Sequence, residues 1–332
     1  MIDPLISLEA LSVEYPLGRA MLGQPPVVRA LNKVTLDIPR GSFFGLVGES
    51  GSGKTTLGRA ILCATPISGG RITLHDEHGP LDLRTMTKDQ LHAYRRRAQL
   101  IFQDPYAALS PRMTVRDIIA EPLQVMGLTK SRADTDARVR EIARLCRLNL
   151  EHLRRFPHAF SGGQRQRISI ARALVCDPDF VVADESVAAL DVSIQADILN
   201  LLKKLQHELG LTFLFISHDL SVVAHVSDYV AVMYLGTLVE VAAKKELFRQ
   251  PKHPYTKALL SAIPSLDPDD TGRAQRLTGE IPSPANPPSG CLFHTRCPHV
   301  RDRCRADAPK LGKGDGEGRP QVACHFWKEL LD

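Results

Sequence analysis

Phe43-Phe44-Gly45-Leu46-Val47-Gly48-Glu49-Ser50-Gly51-Ser52-Gly53-Lys54-Thr55-Thr56 is the stretch that decides how this chain is read. Its first five residues are largely apolar and fit a buried strand. They run directly into Gly-x4-Gly-Lys-Thr, the spacing of a phosphate-binding loop between a strand and a helix. Glycines let successive backbone N–H groups converge on phosphate oxygens without Cβ clashes. The helix starting near Gly53 aims its positive end at the same charge. Lys54 is placed to reach β- and γ-phosphates, and Thr55 to offer its hydroxyl to magnesium.

Working outward, Phe180-Val181-Val182-Ala183-Asp184-Glu185 reads as an apolar strand ending in two carboxylates. Asp184 at the strand end can hold magnesium through water, and Glu185 can orient and deprotonate an attacking water. Gln103 closes a short strand, Gln99 to Phe102, and can ligate the magnesium or the water. His218 follows the strand Thr212 to Ile216 and can touch the γ-phosphate. Asp191 sits in a turn before the long helix Val192 to Leu209. Taken singly, these are a polar strand end, a surface histidine and a helix N-cap; together they follow the order that phosphoryl transfer needs.

About a hundred residues beyond Lys54, Ser161-Gly162-Gly163-Gln164 opens a helix reaching about Val175. This is a second helix terminus suited to phosphate. One chain does not need two such ends on one γ-phosphate. A head-to-tail dimer does, because Ser161, Gly163 and Gln164 then close on the nucleotide held by the opposite subunit.

Around these motifs, strands alternate with helices, which predicts an α/β fold with a mostly parallel sheet. Leu5 to Tyr15 and Leu31 to Ile38 alternate apolar and polar residues and add an antiparallel β region, separated by a Gly/Pro-rich loop, Pro16 to Pro26. Val139, Ile142, Leu145 and Leu148 recur at helical spacing among charges, so residues 113–175 form a helical subdomain. Residues 1–250 make one ATPase domain. Residues 251–332 make an extension with a short helix at Tyr255 to Ile263 and a loop from Pro264 to Pro288.

The composition fits a soluble globular protein of 332 residues, with 43% hydrophobic and 24% charged residues and a net charge of +5. Arg95-Arg96-Arg97 has no interleaved aromatics and reads as a solvated helix face, so nucleic acid is not a partner. No secretory signal opens the chain. The most apolar run, Tyr229 to Ala243, is too short to span a membrane and is broken by Gly236, Thr237 and Glu240. A membrane connection then goes through a partner. Of seven cysteines, Cys63, Cys146 and Cys176 sit in apolar contexts as small buried hydrophobes. The other four form Cys291-x5-Cys297-x6-Cys304-x19-Cys324. That spacing lacks the tight pairs of zinc modules; four thiolates suit an iron–sulfur cluster, with zinc and free thiols as alternatives.

These residues resemble the ATPase subunits of ATP-binding cassette (ABC) transporters over about residues 5–330. More narrowly they resemble the dipeptide and oligopeptide importer ATPases. Phe102 to Tyr106, Phe160 to Leu174, Leu190 to Gln195 and Phe215 to Val222 carry the resemblance, and His253-Pro254-Tyr255-Thr256-Lys257-Ala258-Leu259-Leu260 and Gly279 to Pro284 narrow it. The resemblance implies that Tyr15 stacks on adenine, against the alternative of an ordinary strand tyrosine. It implies that Gly48, Ser50, Gly51, Gly53, Lys54, Thr55 and Thr56 bind phosphates and magnesium. It further implies that Gln103 senses the γ-phosphate beside a surface for a permease helix, and that the cysteine tail holds a four-iron (4Fe-4S) cluster. The expected partners are a second, different ATPase subunit, two permease subunits and an external peptide-binding protein, with this chain peripheral on the cytoplasmic face of the membrane. Nickel or another small solute of the same importer group is the alternative cargo, and a soluble non-transport ABC ATPase the remoter one. The pattern departs at Ser186 and Ala188, where the family commonly has Pro and Ser, which leaves room for a degenerate second site in a heterodimer.

Overall fold

The computed structural model describes residues 3–18, 26–77, 79–262, 277, 279–312 and 320–330. In chain order its strands are β1 (Pro4–Pro16), β2 (Val27–Pro39), β3 (Phe43–Val47), β4 (Gly69–Asp76), β5 (Gly79–Asp82), β6 (Ala98–Ile101), β7 (Phe180–Asp184), β8 (Thr212–Ile216), β9 (Tyr229–Tyr234), β10 (Thr237–Ala243) and β11 (Gln321–Val322). The chain forms two compact units. One comprises Met1–Pro39, Phe44–Arg84 and Ser217–Asp332; the other comprises Arg40–Phe43 and Thr85–Ile216.

In the first unit, β2, β1, β4 and β5 form an antiparallel sheet in that order. The alternation of β1 is what its neighbours use. Leu5, Ile6, Leu8, Leu11 and Val13 are almost wholly buried, and Ile6 lies opposite both Ile38 and Leu74. Most of the loop expected at Pro16 to Pro26 lies outside the described residues. Strands β4 and β5 were not among the sequence expectations: Gly69-Gly70 and the charged ends of β4 mask an apolar content of only Ile72 and Leu74.

The same unit holds β3 parallel to β9, β9 antiparallel to β10, and β10 antiparallel to β11. All five residues of β3 are buried, as its apolar content requires. The apolar run Tyr229 to Ala243 is the β9–β10 hairpin. Its two turn residues, Leu235 and Gly236, both have positive φ, as a tight two-residue turn demands. Among the described residues no helix is long and apolar enough to cross a membrane.

Glu240 on β10 is fully buried and organises the segment 252–261. Its two carboxylate oxygens accept the backbone N–H groups of Lys252 and His253, each at 2.9 Å. Burial raises the carboxyl above the usual range while these bonds oppose the shift. His253 then caps the helix Pro254–Ser261 by accepting the Tyr255 N–H on Nδ1. This helix corresponds to the one expected at Tyr255 to Ile263. Most of the expected loop Pro264 to Pro288 lies outside the described residues; from Gly279 onward it is irregular.

In the second unit, β6, β7 and β8 pair in parallel. Beside them run the helices Lys88–Arg97, Val115–Val125, Arg132–Leu145, Gly162–Leu174 and Val192–Leu209. Thr87, Thr114, Ser131 and Ser161 cap the first four through side-chain oxygens, the role such residues play at helix starts. In the helix Arg132–Leu145, Val139 and Ile142 are buried whereas Leu145 is only half-buried, as is Leu148 beyond the helix end. Cys146 takes up the inner position with no exposure. Arg95 and Arg96 are exposed, while Arg97 pairs with Asp179 at 2.5 Å.

Replacing Glu240 by leucine removes both acceptors and strands two buried donors, each costing about 1–3 kcal/mol. A fall in thermal midpoint of roughly 10 °C is expected, with Glu240→Gln, which keeps one acceptor, losing about half as much. Equal midpoints for Glu240→Leu and the native chain in a calorimetric scan would contradict this role.

Candidate nucleotide site and cysteine centre

In the first unit the glycine loop between β3 and the helix Lys54–Ile61 has little room to be anything else. Gly48 and Gly53 have φ of 151° and 103°. A Cβ on Gly48 would lie 2.2 Å from the Met233 carbonyl oxygen, and one on Gly53 would lie 2.4 Å from that of Ala30. The loop is therefore pressed against backbone from β9 and β2. Ser52 receives the Gly236 N–H on its carbonyl at 2.9 Å, which ties the loop to the β9–β10 turn. Lys54 is buried, and its ammonium donates to the carbonyls of Gly48 and Glu49 at 2.8 and 2.9 Å. Ser50 and Gly51 are exposed, and Thr55 and Thr56 are half-buried just inside the helix. The helix has no side-chain cap at Gly53, and the positive end of a helix favours an anion.

Tyr15 stands at the end of β1, 38% exposed, with its hydroxyl bonded to that of Thr65 at 2.9 Å. Its ring is partly exposed on a paired strand residue, opposite Val28. His218 is exposed in the turn after β8.

The second unit brings together Asp184, Glu185 and Gln103. Asp184 ends β7, half-buried. Glu185 adopts φ of 44°, a left-handed backbone that costs a non-glycine residue roughly 1–3 kcal/mol. Its N–H is anchored on the Ile216 carbonyl at 2.9 Å, and its carboxylate accepts from the Gln103 amide at 2.8 Å. The strain holds the carboxylate beyond the strand end, and Gln103 fixes its direction. The signature helix Gly162–Leu174 opens with Ser161 and Gln164 in a reciprocal capping box: each side chain accepts the other's backbone N–H. The Gln164 side chain thus turns back on its own helix. A Cβ on Gly163 would meet Ile194 at 2.5 Å. Asp191 precedes the helix Val192–Leu209 without making a capping bond, and is exposed, so its side chain is not spent on the helix end.

Two residues that the sequence did not single out touch the phosphate loop directly. The Tyr255 hydroxyl accepts the Glu49 N–H at 2.9 Å, and Arg296 grips the Glu49 carboxylate with two bonds, 2.7 and 3.0 Å. Tyr255 lies within the most specific sequence stretch, which was the available signal; nothing local marks Arg296.

Of the three cysteines expected to act as buried hydrophobes, Cys146 and Cys176 are buried, and burial pushes their thiols up to about 12 and about 11. Cys63 is only half-buried, because it falls in the turn that ends the helix Lys54–Ile61. Cys291, Cys297, Cys304 and Cys324 line one cavity together with Phe293 and Phe326. All four are free thiols. Burial pushes Cys291 and Cys297 up to about 11 and raises Cys324, with neighbouring thiols adding to the shift. Among the described residues, no three His, Cys, Asp or Glu side chains are grouped to hold a single metal ion.

A phosphate loop on a buried strand, a strand-end acid pair and a serine-glycine helix opening define an ABC-type ATPase. The sequence matches the ABC transporter family over residues 31–188 and the oligopeptide/dipeptide transporter C-terminal region over residues 239–304. A Brucella ovis protein that bears the name of a peptide import ATP-binding protein is 50% identical, covering 93% of this chain and 94% of its own length. The di/tripeptide transport ATP-binding protein of Pseudomonas aeruginosa is 42% identical over 99% of both. Among solved structures, a dimeric ATP-binding cassette in a post-hydrolysis state with ADP and phosphate is similar at TM-score 0.62 and 27% identity, over 72% of this chain and 98% of that one. The chain belongs to the ATP-binding proteins of ABC transporters, in the group that carries the oligopeptide/dipeptide C-terminal region, and is an ATPase.

Gly53→Ala is expected to weaken ATP binding at least about tenfold, because both the φ and the Ala30 carbonyl oppose a Cβ and the loop must shift. Titration with a fluorescent ATP analogue measures it, and an unchanged affinity would remove the loop from the site.

Proposed function

We propose that this chain powers uptake of dipeptides and oligopeptides from the cytoplasmic face of the cell membrane. Its partners are a second, different ATPase subunit, two permease subunits and an external peptide-binding protein. The observation that carries this reading is the match of residues 239–304 to the oligopeptide/dipeptide transporter C-terminal region, within relatives that share nearly the whole chain. Residues 1–250 serve as the ATPase domain and 251–332 as the extension typical of that group.

In this reading Tyr15 stacks on adenine, and Gly48, Ser50, Gly51 and Gly53 with Lys54, Thr55 and Thr56 hold the phosphates. Magnesium, when bound, neutralises charge on the β- and γ-phosphates; Thr55, Asp184 and Gln103 offer the hard oxygen donors that suit it. Glu185 takes the proton of the attacking water, and the bond from Gln103 keeps its carboxylate aimed. His218 contacts the γ-phosphate. Ser161, Gly163 and Gln164 open a helix toward the nucleotide of the opposite subunit, with Asp191 at the seam. The exposed Phe102 and Tyr106 beside Gln103 form the surface for a permease helix.

Four thiols that line one cavity are the donor set that an iron–sulfur cluster takes, and their sequence spacing lacks the tight pairs of zinc modules, which leaves zinc as the alternative. A cluster ligated by four thiolates would supply a structural anchor for the extension.

In the reconstituted complex, Glu185→Gln should keep ATP binding, lose about 10²–10⁴ of turnover and stop uptake of a labelled dipeptide. Undiminished turnover would remove Glu185 as the base, and a native complex that moves no peptide would overturn the cargo. Protein purified without oxygen should carry iron and sulfide and show broad visible absorption; zinc without iron in elemental analysis would replace the cluster.

A further inference from the structure

The phosphate loop contains a carboxylate. Glu49 lies between Gly48 and Ser50, in the segment whose backbone receives a polyanion. Left alone, that charge repels the phosphates the loop exists to bind. Arg296, 247 residues away along the chain, meets it with a two-pronged pair at 2.7 and 3.0 Å. The Arg296 side chain is 6% exposed and that of Glu49 25%, so water screens the pair weakly. The bonds to Glu49 raise the guanidinium further above its already high range.

The rest of the surroundings hold Arg296 in this pose. It stands over the Tyr234 ring at 5.9 Å. Its backbone N–H donates to the Phe293 carbonyl at 3.0 Å. Phe293 packs on Tyr234 and Tyr255 with ring centres 5.3 and 5.4 Å apart. The Tyr255 hydroxyl accepts from the Glu49 backbone. Glu49 is thus fixed at its main chain by Tyr255 and at its side chain by Arg296, both from the extension. Arg296 also directly precedes Cys297, so the loop Cys291–Cys297 lines the cysteine cavity at both ends and reaches the phosphate loop between them.

We propose that Arg296 is a positioning residue for ATP binding: it neutralises Glu49 and holds the phosphate loop in its receptive shape, so that the extension sets the nucleotide affinity of the ATPase. This rests on the reading of Gly48 to Thr56 as the nucleotide loop. A bidentate fork is needed because a lysine supplies charge but not the two parallel bonds that orient the carboxylate.

The test compares ATP affinity of the full chain, by titration with a fluorescent ATP analogue, and KM and kcat in the assembled transporter. Arg296→Met is expected to weaken ATP binding on the order of tenfold, the effect of one uncompensated charge near a protein surface. It should raise KM by a similar factor with kcat within about twofold, and the defect should shrink at high salt. Adding Glu49→Gln to Arg296→Met should restore most of the affinity, because the repelling charge is gone. A merely structural arginine would lower the thermal midpoint on substitution and leave the ATP affinity and KM of the folded chain unchanged. Should Arg296→Met fail to fold, Arg296→Lys carries the same comparison, with about threefold weakening relieved by Glu49→Gln. Unchanged affinity in the single variant, or a double variant as weak as the single one, would overturn the proposal. A native chain that binds no ATP would instead overturn the nucleotide reading itself.

Discussion

The contact between a side-chain-free backbone and its neighbours sets the conditions for everything around the phosphate loop. Gly48 and Gly53 turn through positive φ with the carbonyls of Met233 and Ala30 where a Cβ would stand. The loop can then curl tightly, and the helix behind it starts without a side-chain cap. Lys54 donates to the loop's own carbonyls. A buried ammonium held by backbone dipoles is ready to exchange them for a stronger anionic partner.

The second unit uses strain for a related end. Glu185 is held in a left-handed backbone by the Ile216 carbonyl and aimed by Gln103. The strained backbone and that one hydrogen bond together fix the direction of the carboxylate. Ser161 shows the opposite economy: its hydroxyl and the Gln164 amide cap the signature helix between themselves, which leaves the small residues Gly162 and Gly163 at the turn.

The extension is not an appendage in its contacts. Glu240 on β10 fixes Lys252 and His253, His253 caps the next helix, and Tyr255 delivers its hydroxyl to Glu49. His253 itself is fully buried, with its imidazole pulled down to about 3 by burial, so it stays neutral and accepts the Tyr255 N–H. The stretch from His253 to Leu260, the most specific in the sequence, therefore has a physical role, which is to carry a tyrosine to the phosphate loop.

Much was legible from local sequence, for identifiable reasons. Strands β3, β7 and β8 are short apolar runs bounded by loops, and buried parallel strands leave that trace. The helix Gly162–Leu174 announces itself by the serine and glycines at its start. Strands β4 and β5 were missed because their glycines and acids hide the alternation. The hairpin β9–β10 read only as an apolar run, since burial on both faces erases the period of two. Sequence alone determined the phosphate loop, the strand-end acids, the signature helix and the four-cysteine tail, because each is a chemistry written in neighbouring residues. Only the tertiary structure decided that those four cysteines share a cavity and that Arg296 and Tyr255 reach Glu49, because pairing across 247 residues depends on how strands stack and leaves no mark on spacing.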